Sequence, residues 1–361
     1  MAWPSWLPLR ESLRPMSPYG APQVPARAAL NTNENPYAPS PALQKAITDA
    51  VAKVASDLNR YPDRDATVLR TKLADYINEQ SNTKFSADNV WAANGSNEII
   101  QSIFLAFAQG PVLGFTPSYS MHPLIAKVTG SQWIDGKRNA DFSLNAADAV
   151  SEILQHKPTL TFITTPNNPT GGAVTIEAIQ MLADAAKSVG GLLVVDEAYA
   201  EFSQELSAVT LISNNPHVIV IRTMSKAFAF AGARVGYLVS DVSVKDAMMI
   251  VRLPYHLSAL TQAAAQVAID HRVELLGGVS TLIQARTHVV QALHDMGLAT
   301  IPSSANFILF TGFKQDAPQL WAAMLEKGVL IRDVGLSGYL RVTIGNEAEN
   351  NLFISALKEL I

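Results

Sequence analysis

Lys226 lies in the run Thr223-Met224-Ser225-Lys226-Ala227-Phe228, with Gly232, Arg234 and Gly236 close behind it. Upstream the chain reads Val194-Val195-Asp196-Glu197-Ala198-Tyr199. A lysine that forms a Schiff base with a phosphorylated cofactor needs a small, partly desolvated pocket with hydroxyl and guanidinium groups nearby to hold phosphate. Ser225 and Arg234 fit that role, and Thr223 joins them as a cofactor contact. If the cofactor ring is to draw electrons, its nitrogen must stay protonated, which calls for a carboxylate at the end of a rigid element. Asp196 ends the apolar run Leu192-Leu193-Val194-Val195. Either fragment alone is commonplace, since exposed lysines and strand-ending aspartates abound. In this order, with Thr164-Thr165-Pro166-Asn167-Asn168-Pro169-Thr170-Gly171 between them and the N-terminus, they point to pyridoxal phosphate chemistry.

These motifs together resemble the fold-type I aminotransferases, and among those most of all the histidinol-phosphate aminotransferases. The resemblance runs from Leu30-Asn31-Thr32-Asn33-Glu34-Asn35-Pro36 to Leu340-Arg341-Val342-Thr343-Ile344-Gly345, nearly the whole chain. It implies a three-layer α/β architecture, with a mainly parallel sheet in a large domain and a smaller α+β domain. By position it also implies roles for further residues. The turn Gly95-Ser96-Asn97-Glu98 becomes a phosphate clamp, consistent with the free N–H groups and positive dipole end of a helix that starts there. Otherwise Ser96 would be an ordinary helix cap. The family often has Ala-Asp-Glu at this place, so the amide of Asn97 is a departure that bears on substrate preference. Tyr119 is expected to stack on the cofactor ring, and Asn168 and Tyr199 to donate to its phenolate oxygen. Arg341 is expected to take the substrate carboxylate through its planar fork, with Arg332 a second candidate. A surface ion pair between Arg332 and its neighbour Asp333 is the competing expectation. Tyr19 and Tyr61 match positions that act across a dimer interface, toward substrate and cofactor phosphate respectively, and Tyr255 looks like part of the substrate pocket.

The mechanism so implied makes Lys226 both anchor and general acid/base. An amino substrate displaces it, it moves a proton from the substrate α-carbon, and a 2-oxo acid then runs the steps backwards in ping-pong order. The reading is a transamination of histidinol phosphate with glutamate/2-oxoglutarate in histidine biosynthesis. An aromatic amino acid aminotransferase is the alternative, because a tyrosine-lined pocket accepts an imidazole or a phenyl ring. A cofactor-dependent decarboxylase or lyase would share Lys226 and Asp196. A regulator that merely senses the cofactor would need a basic DNA-binding extension, which the chain does not show.

Positioning such groups requires a large scaffold, and 361 residues with 48% hydrophobic side chains can bury one around a cleft. Short β-rich runs alternate with helical stretches: Val112-Leu113-Gly114-Phe115, Leu160-Thr161-Phe162-Ile163, the run ending at Asp196, Val218-Ile219-Val220-Ile221 and Val235-Gly236-Tyr237-Leu238-Val239. That alternation predicts a mainly parallel sheet covered by helices on both faces. Helical spacing begins near Pro41, with Leu43, Ala46, Ile47, Ala50, Val51 and Val54, and resumes after Arg60-Tyr61-Pro62-Asp63. Ile99, Ile100, Ile103, Phe104 and Phe107 share one helical face. Six prolines in residues 1–29 exclude a helix or central strand there and predict an extended arm. Residues 30–262 read as the large cofactor-binding domain, its first residues packing with the small domain, and 263–361 as the small domain. A helix passing between domains marks the boundary.

A net charge of −4 gives no general attraction for nucleic acid or anionic lipid. The absence of cysteine excludes disulfides and thiolate metal sites and fits a reducing cytoplasm. The histidines, His256 included, show no metal-ligand spacing, so no metal is expected. The start lacks a basic segment followed by an apolar one, and no apolar stretch nears the roughly 20 residues of a membrane helix. A soluble homodimer acting on small molecules is the expectation.

Overall fold

The computed structural model describes residues 3–361; Met1 and Ala2 of the expected arm lie outside the described residues. Its strands, in chain order, are β1 (Ala28–Ala29), β2 (Val90–Ala93), β3 (Val112–Thr116), β4 (Trp133–Lys137), β5 (Leu160–Thr164), β6 (Leu192–Asp196), β7 (Val218–Thr223), β8 (Gly236–Val239), β9 (Ala299–Thr300), β10 (Phe307–Thr311), β11 (Val329–Leu330) and β12 (Leu340–Thr343). A seven-stranded sheet has the order β2-β8-β7-β6-β5-β3-β4. All its pairings are parallel except the two made by β8, so β8 alone runs against the others. This is the mainly parallel α/β sheet expected from the alternating runs.

Side-chain alternation sorts each strand between two helical layers. In β6 and β7, Leu193, Val195, Val218 and Val220 join the core under the helices Thr67–Ser81, Ile176–Ser188 and Ala259–Asp270. Val194, Ile219 and Ile221 join the core under Ser96–Phe107 and Met121–Thr129. Two strands of this sheet carry no clear signal along the chain. β2, Val-Trp-Ala-Ala, is buried at all four positions and so has no polar alternation to betray it. β4 is an edge strand whose Asp135 and Lys137 face outward, which hides it as a polar loop.

A third core gathers β10, β12 and the C-terminal helix Glu347–Leu360, together with Ala28 and Leu30. β9 and β12 flank β10 in antiparallel register, giving the smaller α+β unit. β11 does not join this sheet; it pairs in parallel with β1. The helix Arg272–Asp295 runs from the large core, at Leu275, to the small one, at Val279, Leu282, Val289 and Leu293. The described part of the proline-rich segment is extended from residue 16 on, but before that it holds a turn at residues 5–7, where the Leu7 N–H donates to the Pro4 carbonyl, and one 3-10 turn, Glu11–Leu13, placed between Pro8 and Pro15. That turn corrects the expectation of no helical structure there, and it avoids conflict because three residues need no proline N–H.

Candidate functional site

The carboxyl ends of β5, β6 and β7 open into a cleft of about 590 Å³ closed on its far side by the small sheet. Open α/β sheets place ligands beyond the carboxyl ends of their strands. Lys226 sits three residues past the end of β7, in the cleft lining. Its Nζ donates to the Thr32 carbonyl at 2.8 Å and lies 6.0 Å from the centre of the Tyr199 ring. Burial, aided by the nearby charges of Arg341 and Arg234, pulls its pKa down to about 8. A lysine brought this close to neutrality can act as nucleophile and base.

Asp196, at the end of β6, is 2% exposed. Its Oδ2 is 3.2 Å from His122 Nε2, and its Oδ1 accepts the Ala198 N–H at 3.2 Å. The Tyr119 ring meets His122 edge-on, 5.4 Å between centres. Tyr119 donates to Asn97 Oδ1 at 3.2 Å, and burial pushes its hydroxyl pKa up. His122 is 1% exposed, and sequence reasoning that weighs histidines only for metal spacing passes it over. The one signal for it is its place three residues past Tyr119.

Ser96 opens the helix Ser96–Phe107, and the cap is Gly95, at φ 81°, with no side-chain cap bond. The serine hydroxyl is therefore not spent on capping. A Cβ on Gly95 would stand 2.5 Å from Arg234 Nη2, and one on Gly236 would stand 2.4 Å from the Ser96 backbone nitrogen. Both glycines thus permit a close approach that lays the Arg234 guanidinium over the start of the helix. Thr223 Oγ1 donates to Ser225 Oγ at 3.0 Å on the adjoining wall. Free helix N–H groups, three hydroxyls (Ser96, Thr223 and Ser225) and a guanidinium form a cradle whose chemistry matches a phosphate.

On the opposite wall, Tyr199 receives the amide hydrogens of Asn33 at 2.9 Å and Asn168 at 3.4 Å. Burial raises the Tyr199 pKa. Arg341 donates from Nη1 to Asn168 Oδ1 at 2.6 Å and from Nη2 to the Asn31 carbonyl at 2.7 Å, while its buried Nε has no partner among the described residues. Burial pulls its pKa down to about 10, and among the described residues no carboxylate pairs with it. Arg332 lines the same cleft, and its backbone exchanges two 2.9 Å hydrogen bonds with Arg341. The expected ion pair with Asp333 is not made; that carboxylate caps the Gly335 N–H at 2.8 Å. Asn31, Thr32 and Asn33 enter the sequence reading only as part of a motif. In the fold they hold Arg341, Lys226 and Tyr199.

Tyr19 also lines the cleft of its own chain. Tyr61 and Tyr255 do not: they stack on one another at 4.4 Å, with Tyr61 80% exposed.

A mainly parallel three-layer α/β scaffold that gathers a desolvated lysine, a buried carboxylate, hydroxyls and a guanidinium in one cleft has the parts that an enzyme using a phosphorylated aldehyde cofactor needs. Residues 28–357 match the family described as aminotransferase class I and II. The chain belongs to this family, and it is an aminotransferase dependent on pyridoxal phosphate. It is 54% identical over 355 residues to a histidinol-phosphate aminotransferase of Mycolicibacterium vanbaalenii, covering 97% of this chain and 95% of that one. A histidinol-phosphate aminotransferase of Mycolicibacterium smegmatis is 51% identical over 358 residues, with 98% and 93% covered. Among solved structures, the histidinol-phosphate aminotransferase of Sinorhizobium meliloti in complex with pyridoxal-5′-phosphate aligns with a TM-score of 0.82 at 25% identity, covering 93% of this chain and 91% of that one.

Proposed function

We propose that this chain moves an amino group between histidinol phosphate and 2-oxoglutarate, as a homodimer in the cytoplasm and as a step of histidine biosynthesis. The observation that carries the reading is the 51–54% identity, over nearly full length, to proteins named histidinol-phosphate aminotransferase. Arg332 and Arg341, neither paired with a carboxylate among the described residues, agree with it: they suit a phosphate dianion and equally the carboxylates of glutamate.

Bound pyridoxal phosphate supplies an electron-accepting ring that makes the substrate α-hydrogen acidic. Ser96, Asn97, Thr223, Ser225 and Arg234 would hold its phosphate, Asp196 its ring nitrogen, Tyr119 its ring face, and Asn168 and Tyr199 its phenolate oxygen. Lys226 Nζ would take the proton from the substrate α-carbon and deliver it to C4′ of the cofactor, a transfer its lowered pKa favours near neutrality. Arg341 and Arg332 orient the anionic end of the substrate, and Tyr19 covers it.

The dimer draws support from the surface around Tyr61. Arg252 ties residues 58–65 to 250–255, donating to the Arg64 carbonyl at 2.7 Å and to Asp65 at 2.6 Å. These two segments turn Leu58, Tyr61, Ile250 and Leu253 to solvent, each more than half exposed. An apolar patch of this kind fits a second copy, whose cleft Tyr61 and Tyr255 would then reach.

One observation favours a second reading, an aromatic amino acid aminotransferase. An apolar recess of about 400 Å³, lined by Met16, Met121, Leu124 and Val128, adjoins the cleft through Tyr19 and Asn97. Comparing kcat/KM for histidinol phosphate, phenylalanine and tyrosine with 2-oxoglutarate tests both. Preference for histidinol phosphate supports the first reading; preference for phenylalanine replaces it with the second.

A further inference from the structure

Phe142 stands in the loop after β4 with a φ of 66°, a left-handed conformation that a bulky side chain rarely adopts. The loop around it is tightly braced. Asn139 N–H donates to the Ser143 carbonyl at 3.0 Å, and Phe142 N–H to the Asn139 carbonyl at 2.9 Å. Asp141 accepts from both the N–H and the hydroxyl of Ser143, at 2.9 and 2.7 Å. Arg138 donates from Nε to the Phe115 carbonyl at 3.2 Å and from Nη1 to the Phe142 carbonyl at 3.4 Å. Such bracing can hold a residue in a strained conformation, but it does not explain why the residue is phenylalanine rather than glycine or asparagine.

Its ring supplies the reason. Phe142 meets Tyr339 edge-to-face, with centres 5.2 Å apart and planes at 76°. Tyr339 closes the turn that leads into β12, two residues before Arg341, and its N–H donates to the Leu336 carbonyl at 3.0 Å. The same turn leaves the cleft lining at Arg332, Asp333 and Val334, and contains Gly335 and Gly338, both at positive φ. One aromatic contact therefore fastens a glycine-containing turn, with a cleft arginine at each end, to the edge of the seven-stranded sheet.

We propose that Phe142 is a positioning residue: through Tyr339 it sets where Arg332 and Arg341 stand, and so how tightly the cleft holds the anionic end of its substrate. The choice of histidinol phosphate as that substrate rests on the reading above; the positioning itself does not, and succinate, an unreactive dianion, tests it independently. The experiment uses the full-length enzyme loaded with pyridoxal phosphate and the variants Phe142→Gly and Phe142→Tyr. Glycine at this position frees the backbone while removing the ring, so the melting temperature is expected to hold or rise. Succinate affinity and 1/KM for histidinol phosphate are expected to fall about three- to tenfold in Phe142→Gly, the worth of one aromatic pair, with kcat within about twofold of wild type. Phe142→Tyr keeps the edge-to-face contact and should restore both. Unchanged succinate affinity in Phe142→Gly overturns the proposal, as does a loss of affinity matched by a fall in melting temperature. Should the wild type fail to turn over histidinol phosphate, the substrate reading falls, and the succinate result still decides the role of Phe142.

Discussion

Asp196 and Glu197 are neighbours in sequence and equally buried, each 2% exposed, yet they serve opposite sides of the sheet. Glu197 enters a closed cluster. It accepts from Arg222 Nε at 2.8 Å, Ser207 Oγ at 2.7 Å and the Ala208 N–H at 2.7 Å. Arg222 also donates to Glu201 at 2.9 Å and Ser207 at 3.0 Å, and Tyr76 donates to Glu201 at 3.2 Å. Burial alone would lower the Arg222 pKa, but Glu197 and Glu201 outweigh it and raise it. On the other side Asp196 has one histidine and one N–H, Lys226 has a carbonyl, and Arg341 keeps a buried Nε without a partner among the described residues. Charges that are paired and fully hydrogen-bonded specify structure, whereas charges held buried but incompletely partnered face the cleft and remain available to a ligand.

The comparison can be broken most sharply at Lys226. Lys226→Ala should lower kcat by at least about 10² to 10⁴, the span general acid/base catalysis contributes, with little change in the urea unfolding midpoint. Wild-type turnover without an added amine would remove Lys226 from the chemistry. Asp196→Asn should cost about 10² to 10³ in kcat, as the loss of one preorganised charge does, again with stability nearly unchanged. Its α-proton exchange rate, followed by NMR in deuterated water, is the check, and an unchanged rate contradicts the assignment.

One residue along, the effect should switch from rate to stability. Glu197→Ala leaves Arg222 buried with one carboxylate fewer, and should cost about 3 to 5 kcal/mol in denaturant unfolding while kcat of the folded enzyme stays near wild type. A variant with normal stability and impaired chemistry would erase the distinction between the two sides. Arg332→Met should cost histidinol phosphate roughly 1.5 to 3 kcal/mol, about ten- to a hundredfold in kcat/KM, and phenylalanine less, because a dianion gains more from a second guanidinium. Equal losses would make Arg332 a structural residue.

The last effect concerns pH. The Lys226 pKa falls from 10.5 to about 8 on folding, so between those values the unfolded chain binds more protons and stability rises with pH. Burial of the charged amine therefore weighs against the cofactor-free fold below pH 8 and is relieved as the pH climbs toward 10.5. The melting temperature of cofactor-free Lys226→Met should exceed that of the wild type at about pH 7 and converge with it by about pH 10. A gap that does not narrow would mean Lys226 titrates normally.

Much of the sheet and the cleft is legible along the chain because the evidence for them is local. Strands β5, β6 and β7 announce themselves as apolar runs bounded by polar turns, and Lys226, Asp196, Ser225 and Arg234 sit at fixed offsets from those strand ends. β2 and β4 escape because one is buried on both faces and the other is a polar edge, so neither alternates. The expected grouping of Tyr61 and Tyr255 with the cleft is a positional inference, and within a single chain the two rings find each other instead.

The sequence by itself determined the α/β alternation and the lysine and carboxylate just beyond and at the ends of their strands. Only the tertiary structure decided that His122 meets Asp196, that Asn31, Thr32 and Asn33 cross from the N-terminal segment to hold Arg341, Lys226 and Tyr199, and that Phe142 reaches Tyr339. Periodicity and turn chemistry act over a few residues and can be read along the chain. These four hydrogen bonds of the cleft join residues 74 to 310 positions apart, and they arise only when the separate cores close around it.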